Sequence, residues 1–237
     1  MEIELIFTAN AGVILEMDGI CIAVDAFHNQ RALPFSTLPK DLLHTLAETG
    51  ILGKLDALFF SHTHADHYGQ TAMEQVLQYA QNAALLAPEP IAPQQILLQG
   101  PAVHITLPDG KLDAVRLVHD GPEYREVPLY GLMLTLRNQR ILFPGDSTDH
   151  TGVRQMTQGR PVDVAVLNFP WITLPGNRRF VEQELAPRHL ILTHLPYPDD
   201  DTEGFISATR KAAEKLTGIP DIRLLTCPLQ KETLSCF

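Results

Sequence analysis

The sequence predicts a layered α/β protein in which helices lie outside two sheets. Short apolar runs typical of strands recur in both halves of the chain, and helical stripes lie between them. The composition agrees, because 45% apolar and 19% charged residues are ordinary for a globular protein and unlike a disordered one. At 237 residues, we expect a single domain over residues 1–237.

The first quarter of the chain is predicted to form four strands and one helix. Asp18-Gly19, between the second and third strands, is a strong two-residue hairpin signal. Pro39 marks the start of the helix and Gly50 marks its end. The predicted strands are Ile3–Thr8, Val13–Met17, Ile20–Asp25 and Leu55–Ser61.

The remaining elements alternate in a similar way. Met73, Val76 and Ala80 recur at helical spacing, which predicts a helix. Five prolines within residues 87–108 predict a loop broken by short strands. Further strands are expected at Asp113–Val118, Leu132–Arg137, Ile141–Phe143, Val164–Asn168, Leu190–Thr193 and Ile222–Cys227, and helices near Arg179–Leu185 and Thr202–Thr217.

Charge and cysteine content exclude several classes of function. A net charge of −10 argues against a nucleic-acid partner, because neutralising phosphates needs a basic face. No apolar stretch approaches the roughly 20 residues of a membrane span, and Met1-Glu2-Ile3-Glu4 does not resemble a signal peptide. Three cysteines without zinc spacing are expected to be reduced thiols of a cytoplasmic protein. They are Cys21, Cys227 and Cys236.

The most informative segment is Ser61-His62-Thr63-His64-Ala65-Asp66-His67, between a buried strand and an amphipathic helix. Residues two apart on an extended backbone face the same way, so His62 and His64 can reach one metal ion. The turn into the helix then directs Asp66 and His67 towards a point beside that ion. Imidazole nitrogen and carboxylate oxygen are ligands that zinc, iron and manganese accept.

This His-x-His-x-Asp-His pattern resembles the signature of the metallo-β-lactamase fold superfamily of metal-dependent hydrolases. The superfamily pattern continues with a histidine, an aspartate and a histidine at strand ends, and His119, Asp146 and His194 match it. With Ala11-Gly12 and the strand ending at Asp25, the resemblance runs from about residue 8 to residue 195. It implies a four-layer αββα sandwich with its site at the sheet edges.

The resemblance also implies a dinuclear centre with one bridging carboxylate. The first ion would be held by His62, His64 and His119, the second by Asp66, His67 and His194, and Asp146 would bridge them. Two divalent ions, Zn²⁺ first and Mn²⁺ or iron as alternatives, would share a water and lower its pKa towards about 7. The metal-bound hydroxide would then cleave an ester-type bond, either phosphodiester, lactone or thioester, in a small anionic substrate. Asp66 would both bind metal and orient the nucleophile as the catalytic residue.

Each of these assignments has a competing interpretation. Asp146 could be a simple turn aspartate after a strand, and His194 could be a surface loop histidine. His104, in the strand-like run Val103–Leu107, competes with His119. His119 is preferred because a hairpin and then Asp146 follow it in the expected order, although the insertion Asp120–Tyr130 departs from the pattern. Asp25 is either the acceptor for the ring N–H of a ligand histidine or a plain turn residue.

Substrate contacts are expected in the loops around the metals. Arginine suits an anionic group because its guanidinium matches carboxylate and phosphate geometry. Ordinary loop histidines, packed aromatics and solvated arginines are the alternatives at each position. The candidates are Asp25, His28, His150, Trp171, Arg178 and Arg179, with Arg31, Arg125, Tyr124, Tyr130 and Tyr197 as further loop residues.

The alternative function is a metal-binding module of the same fold without turnover, such as a sensor or scaffold. The complete ligand set favours the hydrolase, because an inactive relative would be expected to have lost ligands.

Overall fold

The computed structural model describes residues 2–30 and 32–235. Arg31 and Cys236, singled out above, lie outside the described residues. The chain divides into two compact units. The first holds the chain up to Leu97, His194–Glu203 and the chain from Leu225 on, and the second holds Leu98–Thr193 and Gly204–Leu224. The single domain over residues 1–237 stays a prediction.

The first unit contains one mixed seven-stranded sheet in the order β14-β1-β2-β3-β4-β5-β6. Its strands are β1 (Glu2–Phe7), β2 (Val13–Met17), β3 (Ile20–Val24), β4 (Ala57–Phe59), β5 (Ala84–Ala87), β6 (Ile96–Leu97) and β14 (Lys231–Ser235). Pairing is antiparallel from β14 to β3 and parallel from β3 to β6. Its helices are α1 (Leu42–Glu48), α2 (Gln70–Tyr79) and a 3₁₀ turn at Leu52–Lys54.

The helices of the first unit are held by one apolar cluster. The buried Leu42 and Leu46 of α1 share this cluster with Met73 and Val76 of α2 and with Leu58 of β4. The helical spacing of these residues therefore becomes a single buried stripe on each helix. Complete burial of β4 agrees with its wholly apolar sequence.

The second unit has a comparable sheet in the order β13-β12-β11-β10-β9-β8-β7. Its strands are β7 (Ala102–Leu107), β8 (Gly110–Leu117), β9 (Leu129–Leu136), β10 (Gln139–Phe143), β11 (Val164–Asn168), β12 (His189–Thr193) and β13 (Asp221–Leu224). Pairing is antiparallel from β7 to β10 and parallel from β10 to β13. Its helical segments are α3 (His150–Thr157), α4 (Pro170–Thr173), α5 (Pro175–Phe180), α6 (Phe205–Ala213), a 3₁₀ turn at Pro122–Tyr124 and a π turn at Val181–Leu185.

The predicted order of strands and helices is present, and the differences are local. The region 87–108, predicted as a loop broken by short strands, contains the strands β6 and β7, whereas β5, α3, α4 and β14 were not predicted. The helix predicted near Arg179–Leu185 is divided between α5 and the π turn. No helix within the described part of the chain is both long enough and apolar enough to cross a membrane.

Candidate metal centre

In the first unit, the motif that follows β4 forms a tight turn ahead of α2. The backbone carbonyl of His64 accepts hydrogen bonds from the backbone N–H groups of His67 (3.0 Å) and Tyr68 (2.9 Å). The rings of His62 and His64 lie with their centroids 4.5 Å apart, and each offers a nitrogen within 4.8 Å of the other. The segment before the turn thus brings the two imidazoles together.

The same turn brings Asp66 and His67 to His194, which follows β12 in the chain. The Nε2 atoms of His67 and His194 lie 3.1 Å apart. Oδ2 of Asp66 lies 3.2 Å from His194 Nε2 and 3.8 Å from His67 Nε2. Ligand atoms about 2.0–2.1 Å from a tetrahedral ion are roughly 3.3 Å from one another. The spacing and chemistry of these three side chains therefore fit a divalent ion such as Zn²⁺.

Asp25 determines which ring nitrogen carries the proton in His62 and His67. Its carboxylate accepts hydrogen bonds from the Ser61 backbone N–H (2.7 Å), the Ser61 hydroxyl (2.7 Å) and His67 Nδ1 (3.0 Å). Because the Ser61 hydroxyl gives its only proton to Asp25, it accepts from His62 Nδ1 at 3.0 Å. Both rings are therefore protonated at Nδ1 and carry their lone pair on Nε2, the arrangement that an imidazole needs to bind a metal through Nε2.

His194 is positioned by the turn that follows β1. Its backbone N–H donates to the carbonyl of Asn10 at 2.6 Å, and its φ of 59° lies in the left-handed region. The Asn10 side chain accepts from the Ser36 backbone N–H (2.9 Å) and donates to the Ser36 carbonyl (2.8 Å). The neighbouring Phe35 ring packs edge-on against the His194 ring, with the ring centroids 4.1 Å apart. Asn10 therefore connects the loop at Phe35 to the backbone that orients His194.

His28 lies fully buried beside this cluster. The Asn10 amide donates to His28 Nε2 at 3.3 Å. Burial, and after it the neighbouring His67, lower the pKa of His28 to about 4. His28 is therefore neutral at pH 7 and acts as a hydrogen-bond acceptor.

In the second unit, His119 and Asp146 lie on loops that follow β8 and β10. His119 Nδ1 donates to the Asp120 carbonyl at 2.7 Å, so its Nε2 carries the lone pair. The backbone N–H of Asp120 donates to the carbonyl of Asp146 at 2.8 Å. The Ser147 hydroxyl donates to the Val118 carbonyl at 2.6 Å. These bonds join the two loops within one unit.

The Asp120 side chain strengthens the same connection. One of its carboxylate oxygens accepts from both the backbone N–H (2.9 Å) and the hydroxyl (2.5 Å) of Thr148. Burial raises the pKa of the Asp120 carboxyl, although the hydrogen bonds from Thr148 oppose that change. We call this pair of hydrogen bonds the Asp120–Thr148 clamp.

The remaining histidine and tryptophan candidates lie in a packed part of the second unit. His150 stacks on Phe180 with centroids 4.2 Å apart, and its Nε2 donates to Asn177 Oδ1 at 3.0 Å. Trp171 is fully buried in the apolar cluster of this unit. This placement favours packing roles for both rings.

The other charged candidates differ in their surroundings. Arg178 donates to the Ile172 carbonyl at 3.1 Å, whereas Arg179 is exposed on α5. His104, the competitor of His119, projects from β7 with 68% of its side chain exposed and contacts Asp113 Oδ1 at 2.7 Å. His104 therefore lies in a surface ion pair rather than at a strand end.

Sequence reasoning did not identify several positioning residues. Asn10 was not singled out, and Ser61 was named only as part of the motif. Asp120 and Thr148 were given no role, although each lies within two residues of a predicted ligand. Their partners are distant in the chain, so adjacency to the ligands was the only available signal.

No protein-family model and no curated protein matches the sequence. Solved structures do match over the whole chain. A metallo hydrolase, Igni18 from Ignicoccus hospitalis, is 17% identical with a TM-score of 0.69, covering 100% of both chains. An isothiocyanate hydrolase from Delia radicum gut bacteria is 16% identical with a TM-score of 0.68, covering 100% of this chain and 99% of that one.

A third structure extends the same result. The metallo-β-lactamase fold protein YhfI from Bacillus subtilis is 14% identical with a TM-score of 0.67, covering 98% of this chain and 99% of that one. The chain therefore has the metallo-β-lactamase fold, an α/β sandwich, which confirms the predicted fold class. The resemblance drawn from the sequence fits these neighbours.

Proposed function

We propose that this protein is a metal-dependent hydrolase with a dinuclear centre. Five of the proposed ligands come from the first unit and two from the second. The proposed first site consists of His62, His64 and His119, the second of Asp66, His67 and His194, and Asp146 is the proposed bridge.

The observation that carries this proposal is the convergence of Asp66, His67 and His194. Their ligand atoms are separated by 3.1, 3.2 and 3.8 Å, close to the spacing that a tetrahedral ion requires. The hydrogen bonds of Asp25 and Ser61 support it further, because they place the proton of His62 and His67 on Nδ1 and the lone pair on Nε2.

The proposed reaction is hydrolysis of an ester-type bond, namely a phosphodiester, lactone or thioester, in a small anionic substrate. When bound, two divalent ions would polarise the substrate and supply a nucleophilic water at neutral pH. Asp66 would orient that water through its carboxylate. Zn²⁺ is the proposed metal, since imidazole and carboxylate ligands suit it, and Mn²⁺ and iron accept the same set.

The proposal is tested by metal analysis and reporter hydrolysis on the same preparations. Protein purified without chelator should contain bound divalent metal and hydrolyse bis(4-nitrophenyl) phosphate, a lactone or a thioester reporter. Chelation should abolish the activity and added Zn²⁺ should restore it. Bound metal without turnover of any reporter would instead support the sensor or scaffold. Absence of metal after reconstitution would overturn both.

The bridging role is tested by Asp146→Asn. Loss of the negative charge should weaken the second metal and remove most activity, because the carboxylate offsets repulsion between two cations. Asp109→Asn, at an exposed turn of the same unit, is the matched control. Retention of both metals and normal turnover in Asp146→Asn would exclude the bridge.

A further inference from the structure

A cleft of about 390 Å³ opens beside the end of β8 in the second unit. Its volume is within the range of small-molecule sites. Val118 and Pro122 contribute apolar surface, and Val118 is 51% exposed. The lining residues are Val118, His119, Asp120, Gly121, Pro122, Arg125, Thr148 and Asp149.

The charged residues of this cleft differ in their hydrogen bonding. Asp120 accepts from Thr148 in the clamp, and Asp149 caps α3 by accepting from the Thr151 backbone N–H at 3.0 Å. The guanidinium of Arg125, by contrast, makes no hydrogen bond or ion pair with any residue in the described part of the chain. Arg125 is thus the positive group of the cleft whose donors remain available to a ligand.

The same cleft contains His119, a proposed metal ligand. The Tyr124 ring packs against the His119 imidazole with centroids 5.1 Å apart, which places the loop carrying Arg125 directly beside this histidine. A molecule in the cleft would contact both the proposed metal ligand and the guanidinium. The cleft is therefore suited to substrate rather than to a remote effector.

We propose that Arg125 binds an anionic group, a carboxylate or a phosphate, on the substrate of this cleft. The proposal rests on the proposed hydrolase function and names the residue that selects its substrate class. A dedicated cation is needed because the chain carries a net charge of −10 and the cleft itself contains Asp120 and Asp149, which repel anions. The planar guanidinium can hold either oxyanion with two parallel hydrogen bonds.

The experiment compares two reporter esters on Zn²⁺-loaded protein. Mono-(4-nitrophenyl) glutarate and 4-nitrophenyl valerate have the same scissile bond, but only the first carries a terminal carboxylate. Arg125→Gln should raise KM for the glutarate ester by about tenfold to a hundredfold with little change in kcat. The valerate ester should be unaffected, and Arg125→Lys should restore part of the loss. Arg188→Gln, an exposed arginine of the same unit, is the control.

A second measurement separates this proposal from the hydrolase function. Glutarate and inorganic phosphate are titrated calorimetrically into chelator-treated wild type and Arg125→Gln. Weaker binding to the variant supports the anion site even if neither ester is hydrolysed, and the tighter of the two ligands identifies the preferred anion. Equal binding of both anions by the two proteins, or an equal change in KM for both esters, would overturn the proposal.

Discussion

At the scale of single residues, Asp25 has the widest influence on the candidate centre. Its carboxylate receives three hydrogen bonds, two from Ser61 and one from His67, and through Ser61 it also determines which nitrogen of His62 is protonated. Asp25 has a φ of 48°, in the left-handed region that non-glycine residues rarely adopt. The backbone at Asp25 therefore has a conformational free-energy cost, and it lies at the residue whose carboxylate orients two imidazoles.

Asp25→Asn should weaken metal binding. The substituted side chain presents an NH₂ group in place of one carboxylate oxygen, so it cannot accept all three hydrogen bonds from Ser61 and His67. We expect roughly a 10–100-fold loss of metal affinity, typical for residues that orient metal-ligating histidines. Competition with a chromophoric chelator measures it. Asp56→Asn is the matched control, because the Asp56 carboxylate accepts a hydrogen bond from the Cys21 backbone N–H at 2.8 Å. Equal losses in both variants would contradict an ordering role specific to Asp25.

His119→Ala should remove metal from the proposed first site, whereas His104→Ala should leave metal content unchanged. The reason is that His119 follows β8 and carries its ring lone pair on Nε2, while His104 forms an exposed pair with Asp113. Elemental analysis of both variants checks this. If only His104→Ala lost metal, the assignment of the third histidine would be wrong.

At the scale of elements, the proposed ligands lie in loops after strands, and hydrogen bonds between loops hold them. The Asp120–Thr148 clamp joins the loops after β8 and β10.

A second polar pair lies at the beginning of β12, at the end of the strand opposite to His194. There His189 is the register partner of Asp221 on β13. Their side chains form a hydrogen bond of 2.6 Å between His189 Nδ1 and Asp221 Oδ2. This pair stabilises the parallel pairing of the two strands.

Asp221→Asn should destabilise the protein at neutral pH and much less in acid. Burial alone would raise the pKa of Asp221, but hydrogen bonds from Arg223 and His189 outweigh it and lower the pKa. A lowered folded-state pKa adds stability above the unfolded value of about 3.9, and this stability is lost as pH falls through the folded pKa. We expect a loss of about 1–2 kcal/mol at neutral pH.

The measurement for Asp221 is urea unfolding at neutral pH and at about pH 3, with chelator present so that metal binding does not contribute. Asp109→Asn provides the comparison, because its pair with Arg137 at 3.5 Å is exposed and should contribute little. Equal destabilisation by Asp221→Asn at both pH values would show that the charge of Asp221 is not responsible.

At the scale of the whole molecule, the proposed ligands come from segments far apart in the chain. His62 and His194 are separated by most of the second unit in sequence, and each unit has its own sheet and its own apolar cluster. A metal that binds only the folded chain therefore adds its binding free energy to the stability of the fold.

Metal removal should lower the melting temperature. At a free metal concentration of about 100 times Kd, binding contributes about 2.7 kcal/mol, which corresponds to roughly 5–10 °C for a chain of this size. Differential scanning calorimetry with and without chelator measures the shift. Asp146→Asn should show a smaller shift than wild type, and Asp109→Asn should match wild type. An unchanged melting temperature on chelation would contradict coupling between metal binding and folding.

Prediction from sequence was most successful where the signal lies in consecutive residues. The apolar runs within β11 and β12 were recognised because both strands are buried along their full length, and a strand covered on both faces carries apolar residues at consecutive positions. In contrast, β14 was missed since Lys231–Ser235 is mostly polar and is a strand through its antiparallel pairing with β1. Helix α3 was missed because few of its residues are apolar, although Asp149 is a capping residue.

The sequence by itself determined the fold class and the order of the candidate ligands, because apolar periodicity and the His-x-His-x-Asp-His spacing are local properties of the chain. Only the tertiary structure decided how these residues are held. The contacts of Asp25 with Ser61 and His67, of Asn10 with His194, and of Asp120 with Thr148 join positions separated by 28 to 184 residues in the chain. The sequence contains no characteristic spacing that would predict such partners, since they meet only after strand pairing and core packing have brought distant loops together.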